Sequence, residues 1–173
     1  MRLLSFKLFL LIIYLLFPTI ARADQKLDIK NLIIHKDPKK VGNISFKNSE
    51  DILISLEDFR ENLVILNFWA TWCAPCREEM PSLDLLQSNN KIKNLIILPI
   101  NVGKENKDKA KKFFKDLEIK NLDLYFDPPI TLAKKFGLRG IPTTILFNKD
   151  GLEFARIVGS LDFKDKAFIE WLS

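Results

Sequence analysis

Residues 63–69 read Leu-Val-Ile-Leu-Asn-Phe-Trp, a nearly continuous apolar run. Apolar residues of both parities leave such a strand no face to turn to water. The run therefore predicts a central β-strand buried on both sides, which needs helices above and below a sheet. The rest of the chain fits that plan. Leu95–Val102, Leu122–Phe126 and Thr143–Phe147 read as further strands. Asn148-Lys149-Asp150-Gly151 reads as a hairpin turn with glycine late in it, and Leu152–Val158 as its antiparallel return. Helices are predicted over 73–88, with Pro81 inside as a kink, and over 108–117, 129–136 and 162–172, with Gly137 closing the third. Ser55 and Asp58 have the spacing of a capping box that opens a short helix through Glu61. The expected fold is α/β, with a central mixed sheet flanked by helices.

The first 23 residues differ from the rest. Arg2 and Lys7 precede the unbroken apolar run Leu8–Phe17, and Ala21-Arg22-Ala23 follows with small-x-small spacing. That is the plan of a secretory signal peptide. A retained inner-membrane anchor is the alternative, although the clean apolar run is well short of the roughly 20 residues a spanning helix needs. Short β-type runs at Leu32–Ile34, Ile44–Phe46 and Ile52–Ile54 predict an N-terminal β-hairpin extension over 24–54, and the main domain is expected over 55–173. Residues 1–23 carry Arg2, Lys7 and Arg22 and no acid, so without them the formal charge falls from +5 to +2. A charge that small gives no argument for nucleic acid as a partner. The Lys-rich stretch 104–115 reads as a solvated helix face, with Asp108 placed to meet Lys112 at i,i+4.

The chain's two cysteines, Cys73 and Cys76, fall where the apolar strand gives way to a helix. A helix start presents unpartnered N–H groups and the positive end of the macrodipole, both of which stabilise a thiolate. A bridge between them would close too short a loop to constrain the unfolded chain, so reactivity explains the spacing better than stapling. Export adds an oxidising compartment. A structural zinc site needs about four ligands. Here two thiols stand with one histidine, His35, which lies in a separate polar segment and reads as a surface residue, so neither metal nor other cofactor is expected. Cys73 is expected at the exposed helix start as the attacking sulfur, and Cys76 one turn in as the resolving one. Between them Ala74 offers no side-chain donor and Pro75 no N–H, which favours a reductant or mild exchanger over a strong oxidant.

Phe68-Trp-Ala-Thr-Trp-Cys-Ala-Pro-Cys-Arg-Glu-Glu-Met-Pro81, with Gly140-Ile-Pro-Thr-Thr144 downstream, resembles the thioredoxin superfamily. Within it, the fuller string from Asn67, with Asn101-Val102-Gly103 and the segment 137–144, is similar to the TlpA/ResA branch of exported thiol–disulfide reductases. The resemblance covers most of residues 40–173. It implies a thioredoxin-like domain, a redox-active Cys73–Cys76 pair and a cis Pro142 facing it, with the Ile141 backbone free to pair with an extended client. It implies that Glu79 exchanges a proton with Cys76 or tunes the thiols, and that Trp72 shields the dithiol and contacts clients. Asn67 stands where cytosolic thioredoxins carry a buried aspartate. An asparagine takes no proton from Cys76, so a helping carboxylate must come from elsewhere; Glu79 is the candidate and the adjacent Glu78 its competitor.

The implied activity is periplasmic protein-disulfide reduction. The implied partners are cysteine-containing clients, namely apocytochromes c or copper-site proteins of respiratory oxidase, and a transmembrane electron donor. Two other readings compete. A peroxidase of the related peroxiredoxin type needs a proline seven residues and a threonine three residues before its reactive cysteine, where this chain has Leu66 and Ala70. A non-catalytic Cu(I) carrier would use the same two soft thiols.

Overall fold

The computed structural model describes residue 29, residues 31–127 and residues 130–173. The expected leader and the prolines at 128 and 129 lie outside them. The apolar run becomes β4 (Leu63–Trp69), bonded in parallel to β5 (Leu95–Asn101) and antiparallel to β7 (Thr143–Phe147). Its alternate residues feed two cores. Ile65 and Trp69 join one cluster with Met80, Leu83 and Leu86 of α1 (Ala74–Gln87), Phe113 and Phe114 of α2 (Lys107–Asp116), and Phe168 of α4 (Lys166–Leu172). Val64, Leu66 and Phe68 join the other with Leu132 of α3 (Thr131–Lys135), Phe136 and Phe147. Helices thus cover both faces, as a strand without a polar side requires.

Among the described residues the sheet has eight strands, in the order β1-β8-β7-β4-β5-β6-β2-β3. Here β8 is Leu152–Val158, β6 is Tyr125–Phe126, β1 is Leu32–Lys40, β2 is Ser45–Asn48 and β3 is Leu53–Ser55. The N-terminal strands do not form one hairpin. Only β2 and β3 pair with each other, next to β6, while β1 pairs with β8 at the opposite edge. Residues 41–44 join the two, with Ile44 buried in the second cluster. Ser55 does cap a short helical turn, Leu56–Phe59: its hydroxyl accepts from the Glu57 N–H and its own N–H donates to Asp58.

His35 is a correction. It is not a plain surface residue: its Nε2 lies 2.7 Å from Glu153 Oε1, a carboxylate that Arg156 also holds. The pairing depends on β1 lying against β8, a contact 118 residues apart in the chain. Lys112 also departs from expectation and bonds Asp116, one turn forward, at 2.7 Å. Several predicted elements are shorter than expected. The strand predicted from Leu122 begins at Tyr125, and the last helix begins at Lys166 behind an Asp165 cap. None of the described helices is long and apolar enough to cross a membrane.

Candidate active site

β4 ends at Trp69, whose carbonyl accepts the Val102 N–H at 2.9 Å. A turn then carries the chain into α1, closed by the Cys73 N–H on the Ala70 carbonyl at 3.1 Å. Cys73 is the N-cap of α1, and its Sγ accepts the Cys76 N–H at 3.2 Å. A sulfur can cap a helix as an oxygen does, and the same N–H is placed to stabilise a thiolate. Pro75 lies in the first turn, where a missing N–H leaves no helical bond unmade.

The cysteines form a disulfide with an S–S distance of 1.99 Å. Cys76 is fully buried, but Cys73 is only 4% exposed, less than expected of a helix start. Bonding to a buried neighbour draws its sulfur into the cluster that holds Trp69, Ala70 and Met80. The open surface beside it belongs to Trp72, 70% exposed. Thr143 pairs with Phe68, so Ile141 and Pro142 lie at the end of β4 from which the cysteine loop departs. The Ile141–Pro142 peptide is cis, and the Pro142 carbonyl accepts the Gly159 N–H at 3.0 Å.

Glu79 follows Cys76 by three residues, which puts the two on one side of α1. It is 3% exposed. Its Oε1 accepts Asn67 Nδ2 at 2.8 Å and its Oε2 accepts the Leu161 N–H at 3.2 Å. Burial among neutral partners pushes its pKa up to about 7, an increase that those two hydrogen bonds moderate. A cleft of about 310 Å³ between Glu78, Ser82 and the 160–164 segment reaches this carboxyl. A larger one, about 730 Å³, lies by Leu63 at the opposite end of β4 and plays no part in this chemistry.

The structure thus brings Cys73, Cys76, Trp72, Ile141 and Pro142 to one end of the sheet and sets Glu79 beneath. Sequence reasoning missed the grip of Asn67 on Glu79. Asn67 Nδ2 also donates to Thr144 Oγ1 at 3.0 Å, so one amide ties α1, β4 and β7 together. A signal was available: a buried polar group needs partners, and Asn67 interrupts an otherwise apolar strand. Among the described residues, no cluster of three or more His, Cys, Asp or Glu is arranged to hold a metal ion.

Comparison with known proteins agrees with this geometry. Residues 38–152 match the AhpC/TSA family. A thiol-disulfide oxidoreductase ResA of Bacillus thuringiensis subsp. konkukian is 33% identical over 121 residues, covering 70% of this chain and 69% of the relative. A secreted thiol-disulfide isomerase from Corynebacterium glutamicum superposes with a TM-score of 0.69 at 29% identity, covering 80% of this chain and 88% of that one. A DsbF homologue from Corynebacterium diphtheriae gives 0.69 at 28% identity, with 83% and 93% covered. A buried strand, a disulfide at the following helix start and these relatives converge: the chain belongs to the AhpC/TSA family and, within the thioredoxin superfamily, to the ResA-like thiol–disulfide oxidoreductases.

Proposed function

We propose that the protein is an exported reductant of client disulfides. In its reduced form the Cys73 thiolate attacks one sulfur of a client disulfide, and the other client sulfur leaves as a thiolate. Cys76 passes its proton to the Glu79 carboxylate and attacks the Cys73 sulfur. The second client thiolate departs, two electrons have moved to the client, and the Cys73–Cys76 disulfide remains. A membrane dithiol donor returns the pair of electrons. Trp72 and the Ile141–Pro142 backbone receive the extended client segment.

The observation that carries this reading is the buried Glu79 carboxyl, with a pKa near 7, three residues beyond Cys76. A carboxyl that titrates near neutrality both accepts and returns a proton. The lack of a side-chain donor on Ala74 and of an N–H on Pro75 supports the reducing direction. The apolar leader supports export to the periplasm. Haem-attachment cysteines of apocytochromes c and copper-site cysteines of oxidase assembly are the client classes proposed.

A trap tests it. Cys76→Ser should freeze Cys73-linked mixed disulfides in cells, and the captured partners identify the client. Cys73→Ser should capture nothing and lose exchange. A reduction potential near that of the strongest oxidants, about −120 mV, would contradict a reducing role.

A further inference from the structure

The loop after β5 folds back onto the cysteine loop through one side chain, Glu105. Its Oε1 accepts the Thr71 N–H at 3.0 Å and Asn101 Nδ2 at 3.2 Å. Asn101 is buried, and its Oδ1 accepts the Gly103 N–H at 2.9 Å, which fixes both ends of the amide. The carboxylate lies directly over Gly103. A Cβ at that position would come within 1.7 Å of Glu105 Oε2, so a side chain there would have to push the Glu105 carboxylate aside. Thr71 and Trp72 are the two inner residues of the turn closed between Ala70 and Cys73. Glu105 therefore grips the turn that presents the exposed Trp72 indole and delivers Cys73 to the helix cap. Burial pushes the Glu105 carboxyl upward, but the bonds from Thr71, from its own N–H and from Asn101 outweigh that and hold it below the usual range. It is a fixed negative charge held on the N–H of Thr71, two residues before Cys73 in the chain.

We propose that Glu105 is a positioning residue of the exchange reaction, locking the Ala70–Cys73 turn so that Trp72 meets the client and fixing a negative charge on the turn that leads into Cys73. That charge disfavours the thiolate. It thereby destabilises the reduced protein relative to its disulfide, which makes the protein a stronger reductant. The proposal rests on Cys73 as the attacking sulfur. Other charges lie nearby. Arg77 and Glu78 follow in α1, with the Arg77 guanidinium 4.6 Å from the Phe113 ring centroid. Glu79 lies beneath. Lys104 is exposed, and Lys107 is paired with Asp51 at 2.7 Å. None of them bonds the cysteine turn as Glu105 does.

The test uses the full reduced chain. Iodoacetamide alkylation of Cys73 is followed from pH 6 to 9, together with kcat and KM for reduction of insulin disulfides. Glu105→Gln keeps an acceptor for Thr71 and removes the charge. Its alkylation midpoint should fall by roughly 0.5 pH, with KM within about twofold of the parent. Glu105→Ala also loses the acceptor, and its KM should rise about fivefold as Trp72 loses its fixed turn. A Glu105→Gln profile that overlays the parent overturns the electrostatic role, and an unchanged KM in Glu105→Ala overturns the anchoring role. Should Glu105→Ala fail to fold, Glu105→Asp, which keeps the charge but shortens its reach to the Thr71 N–H, replaces it in the KM measurement, and an unchanged KM there overturns the anchoring role. A parent Cys73 inert across the whole range instead removes the underlying assignment, an outcome distinct from either variant's result.

Discussion

Two glutamates, Glu79 and Glu153, are buried to nearly the same extent, at 3% and 1% exposure, and their proton affinities move in opposite directions. Desolvation is the largest influence on each and pushes both upward. Around Glu79 the partners are an amide and a backbone N–H, both neutral, so desolvation prevails and the pKa reaches about 7. Around Glu153 the guanidinium of Arg156 and the ring of His35 outweigh it and hold the carboxyl below its ordinary value. Low exposure alone therefore says little about what a buried acid does: Glu79 is both the more deeply enclosed of the two and the one without a charged partner. Arg156, on the same strand, holds the Glu153 carboxyl ready to bond His35 across β1 and β8, whereas neutral partners leave Glu79 with a raised proton affinity.

The strongest way to break the comparison is Glu153→Gln. It leaves Arg156 in a partly buried site without its counter-charge, and breaking such a pair typically costs about 3 kcal/mol or more. Urea unfolding should show that loss while exchange per folded molecule is unchanged; a stable variant would mean the Glu153 contacts carry little. Next is Glu79→Gln in the oxidised protein. A raised folded-state pKa gives stability that is full below the unfolded value near 4.5 and lost as pH rises through about 7. The parent should lose at most about 3 kcal/mol across that window, and the variant should be flat. Client reduction by the variant should also slow at least about tenfold. A variant whose stability and rate follow the parent from pH 4.5 to 9 would remove Glu79 from the mechanism. Asn67→Asp sharpens the contrast, because two carboxyls sharing a site cannot readily both ionise. Its stability should fall further above pH 7 than the parent's, by about 1 kcal/mol or more for each pH unit by which the second pKa is raised. The smallest effect belongs to His35→Gln, which keeps a hydrogen bond to Glu153 while Arg156 still pairs with it. Denaturation at pH 8 should show a loss under about 1 kcal/mol.

What was legible in the sequence is what local chemistry decides. The strand at 63–69 follows from its uniform apolarity, the helix after it from Met80, Leu83 and Leu86 at helical spacing, and the β7–β8 hairpin from Asn148 to Gly151, where glycine takes a φ of 71°. The resemblance around Cys73 and Cys76 implied Trp72, Glu79, Ile141 and Pro142 as further site residues, and the fold brings Ile141 and Pro142 to the cysteine end of β4. What was not legible depends on partners distant in sequence. His35 became a hydrogen-bond partner of Glu153 because β1 crosses to β8, and the polar segment around it gives no hint of that. The burial of Glu79 depends on Leu161 and Asn67, 82 and 12 residues away, whereas a Glu-Glu pair inside a helix reads as solvent-facing. The Glu105 contact escaped for the same reason: it spans 34 residues and lands on a backbone N–H, which leaves no mark on side-chain pattern.

The short crossing at residues 41–44 has a geometric consequence. It links the first strand of the sheet order to the seventh. Laid flat, six strand spacings would part them by about 29 Å, while five residue steps reach about 18 Å at most. The sheet must therefore curl, rim toward rim, around the cluster that contains Ile44. That segment works as a clasp: opening it would let the curl relax and admit water to Phe68, Phe136 and Phe147 together.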